Sequence, residues 1–159
     1  MTNPTAADFL LAGKDIQNKA GQPIGSAGTE DHHFREFFGT GPFVVSQLWN
    51  LLAHNDFIPP EGEMKHLLWT LHFLKAYPKQ ATVCSTVGGS AGAIDPKTLR
   101  KYMWPFIRAV ADLEPDVVSK NDSVLVVFRI LLTLFLQDCF RKQEREWQSE
   151  RLPHQCRWH

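Results

Sequence analysis

The chain lacks an excess of charge of either sign. Its 159 residues hold 17 lysines and arginines against 17 aspartates and glutamates, a formal net charge of zero. Net charge therefore gives the molecule no electrostatic attraction to a nucleic acid or a membrane, so either partner would have to bind a local charged patch. The chain has the usual length of one domain, and 43% hydrophobic residues suffice for one modest core.

Cysteines and long apolar runs are also scarce. Cys84, Cys139 and Cys156 are widely spaced and odd in number, and charged residues interrupt the early apolar stretch where a signal peptide would lie. These features predict a reduced, intracellular compartment. The longest apolar run, residues 124–136, contains Arg129 and is shorter than the roughly 20 residues of a membrane-spanning helix. We interpret it as a core or interface helix and expect no membrane partner.

Hydrophobic periodicity predicts an all-α fold, a small helical bundle with a helix-turn-helix-like unit and a C-terminal apolar helix. Glycine, proline and aspartate mark the helix ends. Five helices are predicted in this way. The first ends before Gly39, the second runs from Pro42 to about Asn55, and the third ends before Pro78. The fourth covers residues 80–87, and the fifth begins at Asp95 and Pro96. Pro105 is expected to kink the last of them. Aromatic residues at helical spacing are interpreted as core: Phe34, Phe37, Phe38, Trp49, Trp69, Phe73 and Phe106.

Composition divides the chain into three parts. Residues 1–30 hold one short apolar cluster and then a stretch rich in glycine, asparagine, glutamine and serine, which predicts a flexible leader. Residues 31–118 contain the predicted helices. Residues 119–159 are interpreted as a linker, an apolar helix and a charged tail. Because the character of the sequence changes abruptly there, we hypothesise that this last part is frame-shifted or truncated sequence.

The feature that carries chemistry is a basic middle segment. Between Glu61 and Val110 there are seven lysines and arginines and three carboxylates, a local excess of four positive charges. The predicted order of helix, short helix, glycine turn and basic amphipathic helix is that of a helix-turn-helix unit. A recognition helix places basic and polar groups in its first turns, where they reach phosphates and base edges. The predicted DNA contacts are Lys97, Thr98, Arg100, Lys101 and Arg108. Every amphipathic helix needs a solvated face, where lysine and arginine are common, and the pattern alone favours this simpler explanation of the same residues.

Five segments carry a resemblance to a known family. They are FREFFGTGP (34–42), VSQLWNLL (45–52), KHLLWTLHFLKAYP (65–78), CSTVGGSAGAIDPKTLRKYMWPFI (84–107) and LEPDVV (113–118). Together they resemble the region before the nuclease domain of PIF/Harbinger-type transposases, in the algal form. IDPKTLRK with its following tryptophan is the most specific part. The resemblance implies a DNA-binding, helix-turn-helix-like module that positions a nuclease on double-stranded DNA at transposon ends, in the nucleus.

The chain also departs from the family pattern. The gap from Gly88 to Asp95 is longer than a strict helix-turn-helix turn, and Pro105 interrupts the proposed recognition helix. The family continues into a nuclease domain with three metal-binding acidic residues, and nothing like it follows Val118. We therefore expect no enzyme, no catalytic residue, no metal and no cofactor. Two alternatives stay open: a helical module whose residues 124–150 bind a protein partner or a second copy, and a non-functional translated fragment.

Overall fold

The computed structural model describes residues 3–21, 29–76, 78–88 and 93–113, and in these ranges it contains six α-helices and no strand. The predicted all-α class is confirmed. The helices are α1 (Ala6–Lys19), α2 (Glu30–Phe38), α3 (Pro42–His54), α4 (Met64–Ala76), α5 (Gln80–Gly88) and α6 (Pro96–Asp112). The predictions made for residues 119–159, including the apolar helix at 124–136 and its role as an interface, lie outside the described residues.

The helix ends fall where glycine, proline and aspartate predicted them. Gly39 ends α2 with a left-handed φ of 84°, and its N–H donates to the carbonyl of Arg35 at 2.8 Å. Pro42 opens α3, and α4 ends two residues before Pro78. Asp95 caps α6, because its Oδ1 accepts the N–H groups of the next two helical residues after Pro96. Local chemistry is therefore sufficient to set these boundaries.

Helix α1 corrects the prediction of a flexible leader over residues 1–30. Residues 6–19 are helical, and the helix begins with a capping box. The side chain of Thr5 accepts the backbone N–H of Asp8, and the carboxylate of Asp8 accepts the backbone N–H of Thr5. Phe9 is fully buried and Ile16 is 4% exposed. The polar composition concealed this helix because its stability comes from packing against distant residues and not from its own sequence. Within the leader, residues 1–2 and 22–28 lie outside the described ranges.

Helix α4 is enclosed by its neighbours. Residues 66–71 are buried without a break, as are Phe73 and Leu74. A helical segment that is buried on all sides must be surrounded by other elements, and α4 packs against α1, α2, α5 and α6. These four helices therefore surround the middle of α4, while α3 packs on α1 and α2.

The predicted aromatic core is confirmed with one qualification. Trp49 of α3 lies between Phe9 and Phe106, with ring centroids 5.9 and 6.0 Å away, and so connects α1, α3 and α6. Phe37 is half-buried instead of buried, and it stacks on His72 at 4.4 Å. The other predicted core aromatics are buried. Across the described ranges, no helix combines the length and apolarity needed to cross a bilayer.

The packing of α1 makes a testable prediction at Gly13. A Cβ at this position would lie 2.4 Å from Cε2 of Phe34 and 3.0 Å from Cε2 of Phe38, and both rings are buried. Gly13→Ala should therefore lower the free energy of unfolding by about 1–2 kcal/mol, although alanine is the better helix former by about 1 kcal/mol. Urea unfolding followed by circular dichroism measures the change.

The control for Gly13→Ala is Asn18→Ala, an exposed position on the same helix. It should change the free energy of unfolding by no more than about 0.5 kcal/mol. A Gly13→Ala variant as stable as wild type or more stable would mean that α1 does not pack against α2 as described.

Candidate nucleic-acid interface

Helix α6 has two chemically opposite sides. The buried side consists of Leu99, Met103, Phe106, Ile107, Ala109 and Val110. At about 100° per residue, Lys97, Lys101 and Arg108 lie within about 40° of one another on the other side, and Arg100 lies about 60° from Lys97. All four side chains are exposed. We call Lys97, Arg100, Lys101 and Arg108 the basic face; it extends about 16 Å along the helix axis at a rise of about 1.5 Å per residue.

Thr98, the fifth predicted contact residue, lies at the margin of the basic face. It is exposed, but it is rotated about 100° from Lys97 around the helix. Its backbone N–H donates to Asp95 Oδ1 at 3.3 Å. The structure thus brings four of the five predicted residues together and places the fifth beside them.

Helix α5 and the turn after it hold the beginning of α6 in place. The N–H of Ile94 donates to the carbonyl of Cys84 at 3.0 Å, and Nε2 of Gln80 donates to the carbonyl of Pro96 at 3.1 Å. A Cβ on Gly88 would lie 2.7 Å from the nitrogen of Ile94, so the backbone approach requires glycine here. Residues 89–92 of the turn lie outside the described ranges.

The cysteine in this region is a packing residue. Cys84 is 2% exposed on α5. Burial raises the pKa of its thiol above the ordinary value, and the nearby carboxylate of Asp95 raises it further. A thiol held in the protonated form is a weak nucleophile, so the geometry gives no support to thiol chemistry at this position.

A carboxylate from a distant part of the chain reaches the basic face. Nζ of Lys101 donates to Oε2 of Glu61 at 2.9 Å, and the hydroxyl of Tyr102 donates to the same oxygen at 3.3 Å. The hydrogen bond from Lys101 lowers the pKa of Glu61, and the bond to Glu61 raises the pKa of Lys101. Sequence reasoning counted Glu61 only as a nearby charge, because the pair is separated by 40 positions along the chain.

The other three cations of the basic face are exposed side chains. Among the residues that the structure describes, no carboxylate forms an ion pair with Lys97, Arg100 or Arg108. Nε of Arg100 donates to the carbonyl of Pro96 at 3.3 Å, which leaves its other guanidinium donors for a ligand. Within the part of the chain that the structure describes, three of the four cations therefore have no ion pair to break before they meet a phosphate.

A buried histidine supports the face from behind. The ring of His66 on α4 stacks on Tyr102 with centroids 4.0 Å apart and planes 8° apart. Its Nδ1 accepts the backbone N–H of Glu63 at 3.1 Å. Burial and, to a smaller extent, the charge of Lys65 together lower the pKa of His66 to about 4, against the opposing charge of Glu63. His66 is therefore neutral near pH 7, as its role as an acceptor at the start of α4 requires.

Comparison of the whole chain with family models, curated proteins and solved structures finds no match. In the described ranges, no three or more histidine, cysteine, aspartate and glutamate side chains are grouped to hold a metal ion.

The cap of α6 gives a prediction for Asp95. Asp95→Ala removes the acceptor of two backbone N–H groups and should lower the free energy of unfolding by about 1 kcal/mol. Asp95→Asn keeps an acceptor of similar capping strength and should stay within a few tenths of wild type. Urea unfolding at neutral pH compares the two. An equal loss of unfolding free energy in Asp95→Ala and Asp95→Asn would mean that the charge of Asp95, and not its capping hydrogen bonds, stabilises the fold.

The buried His66 predicts a pH dependence of stability. The unfolded chain binds a proton near pH 6.5, whereas folded His66 binds one only near pH 4, so stability falls as the pH is lowered through this window. From pH 6.5 to 5 the loss should be about 1.5 kcal/mol. Burial also lowers the pKa of His72, which acts in the same direction. Urea unfolding at both pH values measures the loss.

His66→Asn is the test variant, because asparagine also has an acceptor for the N–H of Glu63 but does not titrate. It should remove most of the pH dependence even if it is less stable overall. His54→Asn, at an exposed position, should keep the dependence of wild type. An unchanged slope in His66→Asn would show that His66 is not the titrating group.

Proposed function

We propose that this chain binds double-stranded DNA through the basic face of α6. It would do so in the nucleus, as a remnant or variant of the DNA-binding region of a Harbinger-type transposase and without nuclease activity of its own. The observation that carries the proposal is the exposure of four cations on one side of a helix whose other side is buried. The sequence resemblance supports the same function.

The dimensions of the basic face suit a duplex. The major groove is roughly 12 Å wide and admits an α-helix, and the four cations extend over about 16 Å of helix. Lys97, Arg100 and Lys101 stand near the helix start, where a recognition helix meets base edges, and Arg108 lies two turns further on. Phosphate contacts by these cations would release condensed counterions, which supplies most of the affinity in this kind of binding.

Charge is distributed unequally among the helices. Helix α6 contains four basic residues and one acidic residue, Asp112. Helices α1 and α2 together contain five carboxylates and three lysines and arginines. A local excess of positive charge on one helix attracts a polyanion to that helix even when the net charge is zero. This arrangement supports DNA binding by α6 in spite of the zero net charge.

The proposal is tested with the full chain and a short fluorescent DNA duplex, using anisotropy at about 50 mM and about 200 mM salt. Wild type should bind with a slope of log affinity against log salt of about −3. Arg100→Ala combined with Arg108→Ala should reduce the magnitude of the slope by about 2 and weaken binding at least about tenfold at low salt.

The matched control is Lys14→Ala combined with Lys65→Ala, which removes the same charge from α1 and α4. It should bind nearly as well as wild type, since both lysines are already paired, with Glu30 at 2.6 Å and with Glu63 at 2.7 Å. A folded wild-type chain that binds no duplex at low salt would contradict the proposal. Equal losses in the two double variants would mean that α6 is not the contact surface.

A further inference from the structure

The turn before α4 is built to place a carboxylate beside the basic face. The N–H of Gly62 donates to the carbonyl of Pro59 at 2.8 Å, which closes the turn. A Cβ on Gly62 would lie 2.7 Å from that carbonyl and 3.1 Å from Cζ of Phe106, so the turn packs closely on α6. Glu61 has a φ of 61°, in the left-handed region that side-chain-bearing residues rarely adopt. The turn thus holds a glutamate where glycine would be less strained.

The carboxylate of Glu61 makes the contacts that a phosphate oxygen would make. It accepts from Nζ of Lys101 and from the hydroxyl of Tyr102, at 2.9 and 3.3 Å. Both members of the ion pair are largely exposed, with 62% of the Lys101 side chain and 68% of the Glu61 side chain accessible. An exposed pair of this kind is weak and exchanges readily with other partners, so an arriving anion can displace it.

We infer that Glu61 competes with DNA phosphate for Lys101, so that the turn at residues 59–62 limits the affinity of the basic face. This inference rests on the proposed function. Each binding event replaces the pair of Glu61 with Lys101 by a pair of phosphate with Lys101, and the released carboxylate then repels the phosphate. If Glu61 instead oriented Lys101 for contact, removing its charge would weaken binding, so the sign of the effect separates the two roles.

Glu63 provides a matched control only two positions away. It is exposed like Glu61, but it pairs with Lys65 of α4 at 2.7 Å instead of with a residue of the basic face. Glu63→Gln removes the same charge from the same stretch of chain. Any effect of net charge alone should therefore appear equally in Glu61→Gln and Glu63→Gln.

The experiment measures the affinity of the full chain for the labelled duplex in wild type, Glu61→Gln, Glu63→Gln, Lys101→Gln and the double variant Glu61→Gln with Lys101→Gln. Glu61→Gln should bind about twofold to fivefold more tightly at low salt, the factor that corresponds to one exposed ion pair. Its salt slope should steepen by up to about 1, because the contact of an unpaired Lys101 with a phosphate releases one condensed counterion from the DNA. Lys101→Gln should cost more affinity in the Glu61→Gln background than in wild type.

Glu61→Gly is a second variant that removes the charge and also suits the left-handed backbone. It should be folded, by circular dichroism, and should bind as tightly as Glu61→Gln. Unchanged or weaker binding in both Glu61 variants, or an equal gain in Glu63→Gln, would overturn the inference while leaving DNA binding by wild type intact. If wild type and all variants fail to bind duplex at low salt, the proposed function fails and this inference fails with it.

Discussion

The enclosure of α4 is the constraint on which the rest of the structure depends. The middle of α4 is buried on all sides, which requires its neighbours to present apolar faces and favours internal partners for its polar groups. Thr70 donates to the carbonyl of His66 at 2.9 Å, and His66 accepts the N–H of Glu63. Nε1 of Trp69 is buried without a hydrogen-bond partner. Because α6 must turn its apolar side towards α4, its lysines and arginines face outward. The basic face is thus a consequence of how the core is closed.

The parts of this fold that sequence predicts are those with local causes. Gly39, Pro42 and Asp95 act on the backbone within a few residues, so the ends of α2, α3 and α6 follow from residue type alone. The two sides of α6 follow from periodicity. Helix α1 has a remote cause: Phe9 is ordered by Trp49, which comes 40 positions later and contributes nothing to local composition. A segment with polar composition can therefore be well packed when a few of its residues reach the core.

The ion pair of Glu61 and Lys101 shows the same limit within the candidate site. Neither residue type nor spacing links the two, and their contact depends on a turn whose glutamate adopts a left-handed conformation. Sequence can indicate that Pro59, Pro60 and Gly62 interrupt helical structure. It cannot indicate which side chain the turn then presents to α6. Tertiary packing determines this, since the turn is fixed by its close approach to Phe106.

Pro105 bears on whether the basic face can act as one surface. A proline has no N–H, so the carbonyl of Lys101, four residues earlier, loses its usual helical partner. The helix nevertheless continues to Asp112, and Phe106 and Ile107, which follow the proline directly, are fully buried. Burial of two such side chains stabilises the fold by roughly 3 kcal/mol or more, enough to offset the cost of the proline of about 3 kcal/mol. Because the helix is continuous, Arg108 stays on the side that Lys97 and Lys101 occupy. Packing of the buried side of α6 thus keeps the cations of the basic face aligned.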